Sequence, residues 1–249
     1  MRTRLAAALL IPALALMSLT SCTTDLPDDG TATVPPAGSP APTTDASPGS
    51  EQTIAVAFLG DSITSGFGDI DYGNIWPLIV SREYGFQFEQ FSVAGTGYVA
   101  VNESNDFASR VPAILEAEPD VVVIAGGTND VFYPQEQVKT AAADVLDTLR
   151  EGLPDAQIVL MSAFFQPALI EGSLPDGRPI ADVVDEQTSM LEQLAEERDI
   201  RFIDTRPLFE GRDTSGLILP DGVHPNNAGH ELIAEYLGPL LAEAIAVEQ

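Results

Sequence analysis

The chain has 249 residues, is 45% hydrophobic and carries a formal net charge of −27, which suits one α/β domain with appendages and a sizeable core. With 38 acidic against 11 basic residues, its field excludes nucleic acid as a partner and opposes strongly anionic substrates. A single cysteine rules out a disulfide within the chain.

Residues 1–21 read as an export signal. Arg2 and Arg4 precede an apolar run over residues 5–19 that is interrupted at Pro12 and is too short to span a bilayer. The next four residues, Leu19-Thr20-Ser21-Cys22, resemble the bacterial lipobox, in which the cysteine is lipidated and becomes the mature N-terminus. The expectation is an exported protein held on the extracellular face of the cell membrane through Cys22, because an acyl chain adds about 0.8 kcal/mol of membrane affinity per buried methylene. Loss of Arg2 and Arg4 leaves 11 − 2 = 9 basic residues against 38 acidic, a charge of −29. From residue 23 to residue 50, 18 of 28 positions are Pro, Gly, Ser or Thr, so burial cannot offset the entropy of ordering them. Residues 22–50 are therefore expected to form the lipidated end and a tether, with a reach of roughly 30 to 90 Å.

Residues 51–249 form the expected domain. Residues 53–59 (TIAVAFL) and 121–125 (VVVIA) are short apolar runs ending in glycine, as buried parallel strands do. Residues 86–93, 158–163 and 201–204 are three weaker strand candidates. Helical 3/4 spacing links Val138, Ala142, Val145 and Leu149; Ile180, Val183, Val184, Leu191 and Leu194; and Ile233, Leu237, Leu240, Leu241 and Ala244. Strands alternating with helices imply a parallel sheet covered on both faces by right-handed crossovers. In such a sheet the site lies beyond the C-terminal strand ends. The polar, glycine-flanked segments Gly60-Asp61-Ser62, Ala94-Gly95-Thr96-Gly97 and Gly127-Thr128-Asn129-Asp130 fall there.

The two histidines are His224 and His230. His224 lies in Asp221-Gly222-Val223-His224-Pro225, where an aspartate three residues upstream can reach Nδ1 and leave Nε2 to accept a hydroxyl proton. His230 falls inside the last helix and reads as structural or surface. Ser62 follows a strand and opens a helix, where backbone N–H groups favour developing negative charge; on its own it serves equally well as a helix cap. Asp61 reads as a structural hydrogen-bonding residue. A tetrahedral intermediate also needs donors for its oxyanion, and the Ser62 N–H, the Gly95 N–H and the Asn129 amide are candidates. Asn129 alone could equally be a turn residue.

Four blocks, Gly60-Asp61-Ser62-Ile63-Thr64, Gly95, Gly127-Thr128-Asn129-Asp130 and Asp221-Gly222-Val223-His224-Pro225, resemble in order those of the SGNH, or GDSL-type, hydrolases. The resemblance spans nearly the whole domain. It implies a flavodoxin-like three-layer α/β/α sandwich with a five-stranded parallel sheet, and neither metal nor organic cofactor. It also implies Ser62 as nucleophile, Gly95 and Asn129 as oxyanion donors, and Asp221 with His224 completing the triad. The family covers esterases, lipases, thioesterases and carbohydrate acetylesterases, so a small-molecule, glycan or lipid ester is the expected substrate and the acyl and alcohol parts stay open. Monomer is the favoured oligomeric state.

Four other readings compete. Gly95-Thr96-Gly97-Tyr98-Val99-Ala100 matches the dinucleotide fingerprint G-x-G-x-x-G/A, but no acid ends the following strand to hold a ribose. The G-x-S-x-G elbow of α/β-hydrolases is absent, since Thr64 stands at its last position, and no His-rich or Cys-rich zinc spacing occurs. A non-catalytic envelope binding protein on the same fold is the alternative outside enzymes. Phe67, Tyr72, Trp76, Phe132, Tyr133, Phe164 and Phe165 border the candidate loops, where they could wall an acyl pocket or simply pack.

Overall fold

The computed structural model describes residues 53–164 and 170–246. The expected signal, Cys22 and the tether lie outside the described residues, as does Phe165.

Five strands form one sheet: β1 (Ala55–Gly60), β2 (Gln87–Gln90), β3 (Val121–Ala125), β4 (Gln157–Met161) and β5 (Arg201–Ile203). All pairings are parallel and the order is β2-β1-β3-β4-β5. Side-chain alternation assigns each strand residue to one of two cores. Val56, Phe58, Val121, Val123, Val159 and Met161 face one cluster, while Ala57, Leu59, Val122, Ile124, Ile158 and Leu160 face the other. Because both faces are covered, β1 and β3 read as unbroken apolar runs.

The helices divide accordingly. A short α1 (Ser62–Ser65) follows β1; α2 (Trp76–Tyr84) and α6 (Asn227–Ala246) cover the first face. The second face is covered by α3 (Phe107–Ala117), α4 (Gln135–Gly152) and α5 (Ile180–Glu196). The result is the expected flavodoxin-like three-layer α/β/α sandwich.

Periodicity missed α2 and α3. Trp76 and Pro77 open α2, with proline in the first turn where its missing N–H costs nothing. In α3, Pro112 lies inside the helix, a position that reads as a breaker. Phe107, Val111 and Ile114 are buried in the second core, and Asp106 with Ser109 forms a reciprocal capping box at its start. The β2 candidate over residues 86–93 shortens to four strand residues, although the Phe91 and Val93 N–H groups still donate to the Phe58 and Gly60 carbonyls of β1 at 3.0 and 3.1 Å.

The chain runs from β1 to β2 on one side and then crosses to β3 on the other, so the strand order reverses between β1 and β3. In open α/β sheets ligands bind at that reversal. The two strand ends are pressed together there: a Cβ on Gly60 would stand 2.5 Å from the Ala125 carbonyl. The Thr64 hydroxyl donates to that same carbonyl at 3.0 Å, fixing α1 against β3.

Candidate active site

Ser62 is the first residue of α1. Asp61 caps the helix, its Oδ1 accepting the Ile63 N–H at 3.0 Å and its carbonyl the Thr64 and Ser65 N–H groups. The Ser62 N–H lies among the first-turn donors that have no partner within a helix. The Ser62 side chain is nearly buried, and its hydroxyl lies 2.9 Å from His224 Nε2.

His224 arrives from the far end of the chain on a tight loop after β5. Gly222 takes a φ of +75°, so the segment turns back and the Asp221 carboxylate meets its own downstream residues. Oδ1 accepts the Val223 and His224 N–H groups at 2.9 and 3.0 Å, and Oδ2 lies 2.7 Å from His224 Nδ1. Partial burial pushes the Asp221 carboxyl up, but these three bonds outweigh it and hold the group below the ordinary carboxylate value. An ionised carboxylate at Nδ1 favours the tautomer in which Nε2 accepts the hydrogen bond of the Ser62 hydroxyl. The Leu219 N–H to His224 carbonyl bond, at 2.8 Å, closes the loop behind the histidine.

Gly95 lies in the loop after β2 with φ +74°, and the Asn102 amide donates to the adjacent Ala94 carbonyl at 2.8 Å. Asn129 lies in a 3-10 turn (Thr128–Phe132) after β3, and its amide donates to the Thr96 carbonyl at 2.9 Å. That bond uses one of the two amide hydrogens. The loops that carry Gly95 and Asn129 are therefore tied directly together.

Asp130 supplies most of that connection, a role not legible in the sequence. Its buried carboxylate accepts the N–H groups of Tyr98, Val99 and Ala100 at 2.8, 2.9 and 2.9 Å. Burial raises its pKa, and the three donors only partly offset the effect. A Cβ on Gly97 would collide with this carboxylate, so the second glycine of the apparent dinucleotide fingerprint serves Asp130. The amides that would cradle a pyrophosphate are already engaged. Gln187 of α5 donates to the Gly127 carbonyl at 2.9 Å, and Val131 packs on Ile180, Val183 and Val184, so α5 supports the same turn from beneath.

His230 is buried in α6, where Nδ1 accepts the Trp76 N–H at 3.3 Å. Burial, and then the His224 charge, lowers its pKa to about 4. Of the two readings for His230, structural holds and surface does not. Trp76 and Phe164 are core residues, whereas Phe67, Tyr72, Phe132 and Tyr133 are exposed. The Phe67 ring stacks on the His224 imidazole with centroids 4.1 Å apart.

The sequence profile of the GDSL-like lipase/acylhydrolase family matches residues 58–232. The chain belongs to that family. It is 27% identical to a GDSL lipase of Mycobacterium tuberculosis, over 75% of this chain and 81% of that one. An acetylxylan esterase of Geobacillus stearothermophilus is 28% identical over 71% and 89%. A family two carbohydrate esterase from Clostridium thermocellum, solved with cellohexaose, superposes with a TM-score of 0.62 at 20% identity, covering 78% of this chain and 65% of that one. The family member described here is accordingly a carboxylic ester hydrolase.

Asp61 and His230 give this hydrolase two opposing pH responses. Burial, reinforced by the Asp130 charge, raises the Asp61 pKa from 3.8 to about 6 against the lowering effect of its hydrogen bonds. The folded state thus binds the extra proton between those values, and this contribution to stability falls as pH rises through the window. For His230 the unfolded chain takes up a proton near 6.5 and the folded one only near 4, so stability is lost as pH falls through that range. In Asp61→Asn, which keeps a capping oxygen, the first response is removed and that of His230 remains. Relative to the native protein the variant should gain roughly 3 kcal/mol between about pH 4 and pH 7. Urea melts at the two pH values check this, and an unchanged difference between the proteins would contradict it.

Proposed function

We propose that this hydrolase works through an acyl-enzyme on Ser62. The observation that carries the reading is the unbroken line from Ser62 Oγ to His224 Nε2, 2.9 Å, and from His224 Nδ1 to Asp221 Oδ2, 2.7 Å. Ser62 Oγ attacks the ester carbonyl carbon as its proton passes to Nε2. The resulting imidazolium gives that proton to the leaving alkoxide, the C–O bond breaks and the alcohol departs. Water then repeats the sequence on the acyl-enzyme, with His224 again as base, releasing the carboxylic acid and restoring Ser62. Asp221 holds the imidazole and balances its transient charge. The Ser62 and Gly95 N–H groups and the second Asn129 amide hydrogen stabilise the tetrahedral oxyanion.

The reading also places the domain, residues 51–249, outside the cell after removal of residues 1–21, with Cys22 acylated and residues 23–50 as spacer. The lipobox-like Leu19-Thr20-Ser21-Cys22 and the Pro-, Gly-, Ser- and Thr-rich composition that follows support it. Glycan esters and lipid esters both remain within the relatives' range, given an acetylxylan esterase and a lipase among them.

On nitrophenyl acetate, Ser62→Ala and His224→Ala should remove essentially all turnover, and a phosphonate ester should label Ser62 alone. Label on another residue would break the assignment. Asn129→Ala should lower kcat about 100- to 1000-fold with little change in KM, as expected for a donor acting only in the transition state; a change confined to KM would reassign it to substrate binding. Cells expressing the full chain and fed radiolabelled palmitate should yield labelled protein that Cys22→Ala abolishes, and equal label in the variant would remove the anchor from the proposal.

A further inference from the structure

Among the described residues, the large apolar side chains left exposed are Phe67, Tyr72, Val101, Phe132 and Tyr133, with 42, 53, 57, 63 and 37% of their surface accessible. All five lie on the loops after β1, β2 and β3, the loops that carry Ser62, Gly95 and Asn129. Single exposed apolar residues scattered over a surface need no explanation, whereas confinement to one edge does.

Their supports are built. The Phe67 ring lies on His224 between Gly66 and Gly68, whose φ angles are +82° and +80°. Tyr72 packs over Gly66, where an added Cβ would stand 3.2 Å from the tyrosine ring, and its hydroxyl donates to the Gly68 carbonyl at 3.3 Å. Val101 precedes a turn closed by reciprocal Asn102 and Asn105 backbone bonds of 2.9 and 2.8 Å. At the tip of that turn Glu103 and Ser104 take φ angles of 48° and 68°, an unfavourable conformation for residues other than glycine. Asn102 in the same turn braces the Gly95 loop.

The charge on these loops narrows what they can hold. Residues 61–75, 91–106 and 126–134 contain no lysine or arginine. The arginines that reach them from the helices are Arg82, whose guanidinium donates to the Gly73 carbonyl and Asn74 Oδ1 at 2.7 and 2.8 Å, and the buried Arg110, which donates to the Thr96 hydroxyl at 3.0 Å, so acidic groups outnumber cations on this edge. Asp69 and Glu103 are exposed and have no ion-pair partner among the described residues. Pressing such carboxylates into acyl chains or an anionic lipid surface would cost solvation without return. A neutral pyranose satisfies both features: its C–H face lies on an aromatic ring and its hydroxyls donate to the carboxylates.

We propose that the loops after β1, β2 and β3 form a rim that binds a neutral glycan, with Phe67, Tyr72, Phe132 and Tyr133 as stacking surfaces and Asp69 and Glu103 as hydroxyl acceptors. The proposal rests on Ser62 as the nucleophile and makes the alcohol part of the ester a sugar unit of an oligosaccharide.

Calorimetry on the full-length Ser62→Ala protein, which cannot turn substrate over, tests the rim separately from the chemistry. Partially acetylated xylohexaose and cellohexaose are the probes, with vesicles of phosphatidylcholine and of phosphatidylglycerol as the competing surface. At least one hexasaccharide should bind, and adding Tyr72→Ala with Phe132→Ala should weaken it about tenfold or more, while thermal melts show both proteins folded. Absence of binding to either sugar, binding indifferent to both ring removals, or Phe132-dependent binding to vesicles in place of sugar would overturn the proposal. Nitrophenyl acetate turnover by the native protein reports separately on Ser62, so loss of the rim and loss of the hydrolytic reading give different results.

Discussion

The candidate site depends on a buried negative charge having its hydrogen bonds met. Asp130 is sealed from solvent at the end of β3, and an ionised carboxylate there is tolerable only with several donors around it. Three consecutive backbone N–H groups from the loop after β2 supply them. Satisfying that charge draws the Gly95 loop over the β3 turn, and the Asn129 bond to the Thr96 carbonyl completes the junction. With the Thr64 bond to Ala125 on the other side, Ser62, Gly95 and Asn129 are held by contacts between strand ends.

The opposite half of the site is fixed by a different device. The Asp221 carboxylate acts as its own turn, taking two nearby backbone donors before it reaches the imidazole. Its geometry is therefore set locally, within four residues, and the rest of the fold has only to deliver this preformed unit to Ser62. The sheet places α6, which follows the loop directly, against the face that carries α2, and His230 joins the two helices through the Trp76 N–H. The second histidine thus contributes to where the first one stands.

A rigid base carrying open aromatic loops is a division of labour common in enzymes, since strand ends can be positioned precisely while loops vary with substrate. In this chain the rigid part is the parallel sheet with its glycine contacts at the switch point. The exposed rings and the Asp69 and Glu103 carboxylates lie on the loops that this sheet carries.

Periodicity and composition brought out the parallel sheet through β1 and β3, because strands buried on both faces are apolar throughout, whereas the edge strands β2 and β5 carry polar residues and are only partly buried. Motif order brought out Ser62, Gly95, Asn129, Asp221 and His224, since the Asp221 turn is local in sequence and the other three residues each follow a strand end. The helices α2 and α3 were not legible: Pro77 and Pro112 mimic breakers, and their stability comes from packing on the sheet. Nor could the sequence assign Asp130, Asn102 or the Phe67 stack. Each acts on a partner with which it shares no pattern: Asp130 on amides about thirty residues away, Asn102 on the Ala94 carbonyl, and Phe67 on a ring more than 150 residues away. The sequence by itself thus determined which groups were available for chemistry. Only tertiary structure decided which of them meet, because the contacts that join them form between strand ends and loops that are adjacent in space and remote along the chain.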